Sequence, residues 1–293
     1  MTIRIERTAA TRCEGGEQPL WDVEDQALWY IDNTGRRVHR FDPASGATRS
    51  RETPSVVTSL ARCASGGAIV TMRSGIHLLD LESGSFTPVS PLPDPPPHVF
   101  NDAKVDRHGR WVIGASTANF AAPTPDGGLF RLDPDRTLTR LDSGIHFSNG
   151  PCFSPDGRTL YFSDSWLRTI YAYDYDLERG AVSNRRVFAT TDGLGGLPDG
   201  ATTDAQGRLW VAIYQGGCIA AFRPDGSLER CVPMPVRLVS SVSFGGALLD
   251  VLYVTTIVHG IHGDPVEDGA GYVYAIDGLG VTGVAEPRFG ALL

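Results

Sequence analysis

The chain has 293 residues, of which 41% are hydrophobic and 20% charged, and a formal net charge of −8. The acidic residues are scattered and no basic stripe is present, which argues against a nucleic-acid partner. No stretch approaches the roughly 18 apolar residues of a spanning helix, so the sequence predicts no membrane partner either.

The five cysteines, Cys13, Cys63, Cys152, Cys218 and Cys231, are odd in number and widely spaced, and no CxxC occurs. That pattern opposes a disulfide framework and a zinc–thiolate site. The opening residues, MTIRIERTAATRCEGGEQ, hold no apolar core of the signal-peptide kind. Together these features predict a protein of the reducing cytoplasm.

Along the chain one phrase recurs. A β-branched or aromatic run meets a short polar turn, and a second alternating run ends in an acidic, Pro or Gly turn. The copies span Ala27–Gly46, Gly67–Gly84, Gly109–Asp135, Arg158–Asp176, Gly207–Gly226 and Asp250–Gly278. Their starts are about 40–50 residues apart, the length of a four-stranded propeller blade. No long stripe of helical period interrupts them. The sequence therefore predicts an all-β, six-bladed β-propeller with four-stranded antiparallel blades around a central channel. The repeats use nearly the whole chain, so residues 1–293 are expected to form one domain. The rival, an irregular β-sandwich, lacks such a phrase. Residues before 27 and after 280 are expected to share a blade, with EPRFGALL at the C-terminus closing the ring against N-terminal strands. The stretch Pro91–Pro97 reads as stiff and extended.

Four polar segments precede repeats: Glu17-Gln18-Pro19-Leu20-Trp21, Asn101-Asp102, Ser148-Asn149-Gly150 and Pro198-Asp199-Gly200. Each alone reads equally well as a turn. Pro-Asp-Gly also occurs at 125–127, 155–157 and 224–226. Their shared offset is more informative. Asn101, Asn149 and Asp199 stand about eight or nine residues before a repeat, and Glu17 about ten. Equivalent positions in a radial fold converge near the axis. Two carboxylates and two amides there suit a hard divalent cation, the alternative being coincident turns.

In these segments, and in SFGGALLDVLYVTT at 243–256, the chain resembles the gluconolactonase family that includes regucalcin, or senescence marker protein. The resemblance covers essentially the whole chain. It implies a six-bladed propeller with one divalent cation, held by Glu17, Asn149 and Asp199, that hydrolyses sugar lactones. Ca²⁺ is the first expectation, with Zn²⁺, Mn²⁺, Mg²⁺ or Fe²⁺ as alternatives. Asp199 is expected to be the catalytic base as well as a ligand, and Asn101 to lie near the substrate. No Ser nucleophile is indicated, because GxSxG is absent.

Two positions depart from the family pattern. Val99 stands where the family has Arg, and Asn119 where many members have an acid. The small-molecule substrate expected is therefore a sugar lactone or a less hydroxylated relative, with Val99, Asn101, Asn119 and His146 in its pocket and His98 and Phe120 beside them. A metal-dependent esterase-type hydrolase and a non-enzymatic calcium-binding propeller are the alternatives.

Overall fold

The protein is described by a computed structural model covering residues 2–92, 98–260, 263 and 265–290. Most of the Pro-rich stretch, at 93–97, lies outside the described residues.

The sheets are built from strands in chain order. A short β1 (Arg4–Arg7) is followed by the first blade: β2 (Gly16–Asp22), β3 (Ala27–Asp32), β4 (Arg37–Asp42) and β5 (Ala47–Glu52). Blade 2 is β6 (Val57–Arg62), β7 (Ala68–Met72), β8 (Gly75–Leu79) and β9 (Phe86–Ser90). Blade 3 is β10 (His98–Val105), β11 (Trp111–Thr117), β12 (Gly127–Leu132) and β13 (Leu138–Ile145). Blade 4 is β14 (Ser148–Phe153), β15 (Thr159–Asp164), β16 (Thr169–Asp176) and β17 (Ala181–Thr190). Blade 5 is β18 (Leu197–Thr203), β19 (Leu209–Tyr214), β20 (Cys218–Phe222) and β21 (Leu228–Pro233). Blade 6 takes β22 (Val239–Gly245), β23 (Val251–Thr256), β24 (Tyr274–Asp277) and, as its outer strand, β1. All six sheets are four-stranded and antiparallel, which is the predicted six-bladed propeller.

The second and third strands of each blade are the repeated phrase. In β3, β7, β11 and β19 every residue is buried, because each is covered on both faces by neighbouring sheets. Val, Ile, Trp and Tyr fit such a pleated, enclosed surface. The acidic turns have a mechanism too. Asp22, Asp80, Asp176 and Asp204 each accept backbone N–H groups two to four residues on, tying the hairpin that follows.

Burial closes the ring. Six apolar clusters lie in the seams between successive blades, from Trp29 against Val70 (blades 1 and 2) round to Tyr30 and Phe41 near Tyr253 (blades 1 and 6). The first strands also touch in sequence round the axis, β2–β6–β10–β14–β18–β22 and back to β2.

Closure differs from expectation in one respect. β1 pairs with β24, Arg4 opposite Asp277 and Arg7 opposite Tyr274, so the N-terminus alone supplies the missing strand. Residues 281–290 instead cross the lower end of the ring. They bridge Asp204 through Gly283 and Cys63 through Phe289. Arg107 Nη1 donates to the Ala285 carbonyl, Lys104 Nζ meets Glu286 Oε1 at 2.9 Å, and Arg288 Nη2 meets both Asp22 oxygens at 2.8 Å. The cavities that Glu286 and Pro287 line beside Lys104 measure only about 10 Å³ each, no more than a single water.

Candidate active site

One backbone irregularity sets the upper end of the channel. Each inner strand carries one extra residue at the same height. The register shifts between Glu17 and Leu20, Val57 and Ser59, Phe100 and Ala103, Asn149 and Cys152, Pro198 and Ala201, and Val239 and Ser241. A β-bulge breaks the alternation of side chains and re-aims those beside it. In blade 4 the bulge requires glycine. Gly150 has φ +53°, and a Cβ there would stand 2.5 Å from the Asp199 carbonyl oxygen. Pro198-Asp199-Gly200 is likewise bulged strand, unlike 155–157 and 224–226, which are hairpin turns.

The bulges open onto a cavity of about 370 Å³ lined by Glu17, Asn101, Asn149, Asp199 and Val99. Four blades contribute these five residues. Asn119 and His146 are not among the lining residues. Asn119 is exposed, and the His146 ring contacts Asp164 Oδ2 through Nδ1 at 3.0 Å. The residues one further on, Phe120 and Phe147, face the cavity, their ring centroids 5.1 Å apart. His98 begins β10, and its side chain lies outside the described residues.

The amides are fixed by a relay. Asn101 Nδ2 donates to the Ser148 carbonyl at 2.8 Å and to Asn149 Oδ1 at 2.6 Å. Asn149 Nδ2 donates to Ser165 Oγ at 2.9 Å, and Ser165 Oγ to the Pro198 carbonyl at 2.6 Å. This orients Asn149 with its carbonyl oxygen inward.

The carboxyls are held differently. Burial, and then the charges of Asp199 and Asp102, push the Glu17 carboxyl well above its usual range. Burial and Asp102 do the same to Asp199, against one lowering hydrogen bond from the Gly200 N–H. Asp102 itself is pushed up to about 6 by burial, although its Oδ2 accepts the Gly150 N–H at 2.9 Å. Asp102 is a third acid at the site to which the sequence reading gave no role. Its signal was adjacency to Asn101 inside the same bulge. Among the described residues none of the three carboxylates forms an ion pair, and Lys104, whose charge acts on Asp102, is paired with Glu286. Glu17 Oε2 is buried without a hydrogen-bond partner.

Such a group of buried acids repels itself unless a cation balances it. An oxygen-only donor set with an unpartnered carboxylate oxygen fits a hard divalent ion. A second cluster, Cys13, Asp32 and His39, has ligand atoms within 4.8 Å of one another. It sits in the seam between blades 1 and 6, and none of its three residues lines the cavity. Asp32 there already accepts the N–H groups of Gly15, Gly35 and Glu14, and His39 Nδ1 contacts Ser50 Oγ at 2.8 Å.

The family described as SMP-30/Gluconolactonase/LRE-like region matches residues 15–258. The chain belongs to that family. Among SMP-30/gluconolactonase relatives, the pentonolactonase of Haloferax volcanii is 34% identical, the match covering 98% of each chain. In structure the chain is similar to a luciferin-regenerating enzyme, with TM-score 0.93, 28% identity and coverage of 99% and 100%. It is also similar to a calcium-binding regucalcin of Agrobacterium tumefaciens, with TM-score 0.89, 25% identity and 97% of each chain covered.

Proposed function

We propose that this protein hydrolyses a lactone to its hydroxy acid, using a divalent cation held by Glu17, Asn149 and Asp199. The observation that carries this reading is the pair of buried acids Glu17 and Asp199 lining one cavity, with Asp102 buried close to both and Glu17 Oε2 lacking any partner. The lactonase named among the relatives supports the reaction type, and the calcium-binding regucalcin supports Ca²⁺ as the ion.

A bound divalent cation supplies a Lewis acid for the lactone carbonyl and a counter-charge for its oxyanion. The protein's own groups supply the rest. Asp199 takes a proton from the attacking water as the water oxygen bonds to the carbonyl carbon. The C–O bond of the ring then breaks, and the proton passes from Asp199 to the departing alkoxide oxygen. Asp199 is placed for this by lining the cavity together with Glu17 and Asn149. Asn101 holds Asn149 in orientation. The apolar walls limit bulk water, which strengthens each charge interaction inside. Five free cysteines accord with a reducing compartment, and we place the protein in the cytoplasm on that ground.

The test is hydrolysis of a lactone panel, beside aryl esters, by chelator-stripped protein with Ca²⁺, Mn²⁺ or Zn²⁺ restored. Lactone turnover that requires the added ion, and falls by about 10²-fold or more in Asp199→Asn, supports the reading. Turnover that survives the chelator, or no lactone turnover with any ion, overturns it.

A further inference from the structure

The cavity divides into two chemically distinct parts. Its base is oxygen and amide: Glu17, Asn101, Asn149 and Asp199. Its walls are apolar, with Val56, Met72 and Val99 on one side and Phe120, Phe147 and Leu197 among the rest. The wall strands explain this. Met72 ends β7, and Leu197 begins β18, where each strand meets the upper rim. Phe120 comes from the β11–β12 loop and Phe147 from the β13–β14 loop, and their rings lean together at 35°.

Asn101, Ser165 and Thr58, on the cavity lining, have few hydrogens to offer a ligand. Both Nδ2 hydrogens of Asn101 are taken, by the Ser148 carbonyl and Asn149 Oδ1. The Ser165 hydroxyl donates to the Pro198 carbonyl. Thr58 Oγ1 is 2.7 Å from Thr71 Oγ1 and shares its hydrogen bond there. The cavity's exposed polar side chains are Thr34, Arg73 and His259 at the rim. A ring with a hydroxyl on most carbons would press those hydroxyls against Val56, Val99 and the Phe pair, losing water without gaining partners. A hydrocarbon group in the same place loses nothing, and an aromatic ring gains a tilted aromatic neighbour. At about 370 Å³ the cavity is of ligand size, with room for a substituent beside the reacting ring.

We infer that the substrate is a lactone carrying a bulky apolar, aromatic-sized substituent, packed against Val99, Phe120 and Phe147, rather than a polyhydroxylated sugar lactone. This rests on the lactonase reading above and names the substrate class for that site. Val99 and Phe120 are then the specificity-determining residues, and hydroxyl groups on the substrate count against it.

The experiment compares kcat/KM of the ion-loaded protein on γ-butyrolactone, γ-phenyl-γ-butyrolactone and a pentonolactone. The expected order is phenyl-bearing, unsubstituted, hydroxylated, with the phenyl compound at least about tenfold above the unsubstituted one. Phe120→Ser, and separately the isosteric Val99→Thr, should narrow the ratio between those two lactones toward one. Turnover that is highest on the pentonolactone overturns the inference while leaving the lactonase reading intact. If no lactone is hydrolysed, calorimetry with the non-hydrolysable γ-lactams decides the matter. Tighter binding of 5-phenyl-2-pyrrolidinone than of a hydroxylated pyrrolidinone sustains the apolar site, and the reverse order, or equal binding, overturns it.

Discussion

Asn101 of blade 3 donates its side-chain amide to the Asn149 carbonyl oxygen of blade 4 over 2.6 Å. The same nitrogen also holds the Ser148 backbone, so one side chain fixes both the position and the facing of its neighbour. A ligand oxygen is only as well aimed as the group behind it. Asn101→Leu keeps the volume and removes both bonds. Calcium affinity, measured by calorimetry, should fall about 10- to 100-fold while the fold persists.

Glu17 gives a prediction whose sign depends on the ion. Its Oε2 is buried without a partner and its carboxyl faces Asp199 and Asp102. In chelator at pH 8, Glu17→Gln removes one repelling charge and should raise Tm, by about 2–4 °C if roughly 1 kcal/mol is relieved. With saturating Ca²⁺ the wild type should gain Tm and the variant should not. Thermal unfolding under both conditions checks the crossing; a variant that gains as much as the wild type would contradict the cage.

His39 makes stability depend on pH. Burial lowers its imidazole to about 4, and Nε2 has no hydrogen-bond partner. The unfolded chain binds that proton near pH 6.5 and the folded chain only near 4. Between those values the unfolded state holds more protons, so stability is lost as pH falls. The loss is about 3 kcal/mol across the window. His39→Phe keeps the stack on Tyr30, whose ring lies 4.8 Å away, and should flatten that limb in urea unfolding between pH 7 and 4.5.

The crossing at the lower end has its own test. Lys104 and Glu286 pair at 2.9 Å with little solvent around either, and burial opposes the Lys104 charge while Glu286 sustains it. Glu286→Gln leaves a buried ammonium without its counter-charge and should cost about 3–5 kcal/mol of stability. The double change Lys104→Met with Glu286→Leu should recover most of that. Chemical denaturation of the three proteins decides.

The second strands of the blades were the most legible in the sequence because both of their faces are largely buried. They read as continuous β-branched and aromatic runs such as ALWYID and LWVAIY. The outer strands were not. ATRSRE in blade 1 and AVSNRRVFAT in blade 4 are largely solvated, and polar residues tolerate a strand there without announcing one. RIER at 4–7 closes the ring by pairing with β24, and its one apolar residue, Ile5, is too short a pattern to announce a strand. At the site, the common offset of Glu17, Asn101, Asn149 and Asp199 was readable because all four sit at or beside the same bulge. The loops carry no such register. There the reading named Phe120, which lines the cavity, together with Asn119 and His146, which do not, and it passed over Phe147. Asp102 was hidden for a related reason: a bulge presents two adjacent residues at once, and the alternation of an unbroken strand would have shown only one.

The segment from 281 to 290 gives the propeller a bottom. It turns a pipe into a cup, with Phe289 and Gly283 stitched to opposite blades and Lys104 sealed beneath. Among the described residues the cavity opens at the rim bearing Arg73 and His259. A ligand arriving there meets the one departing, since residues 281–290 cross the far end. On the proposed lactonase reading, the hydroxy acid backs out before the next lactone enters, and its accumulation should show as competitive inhibition.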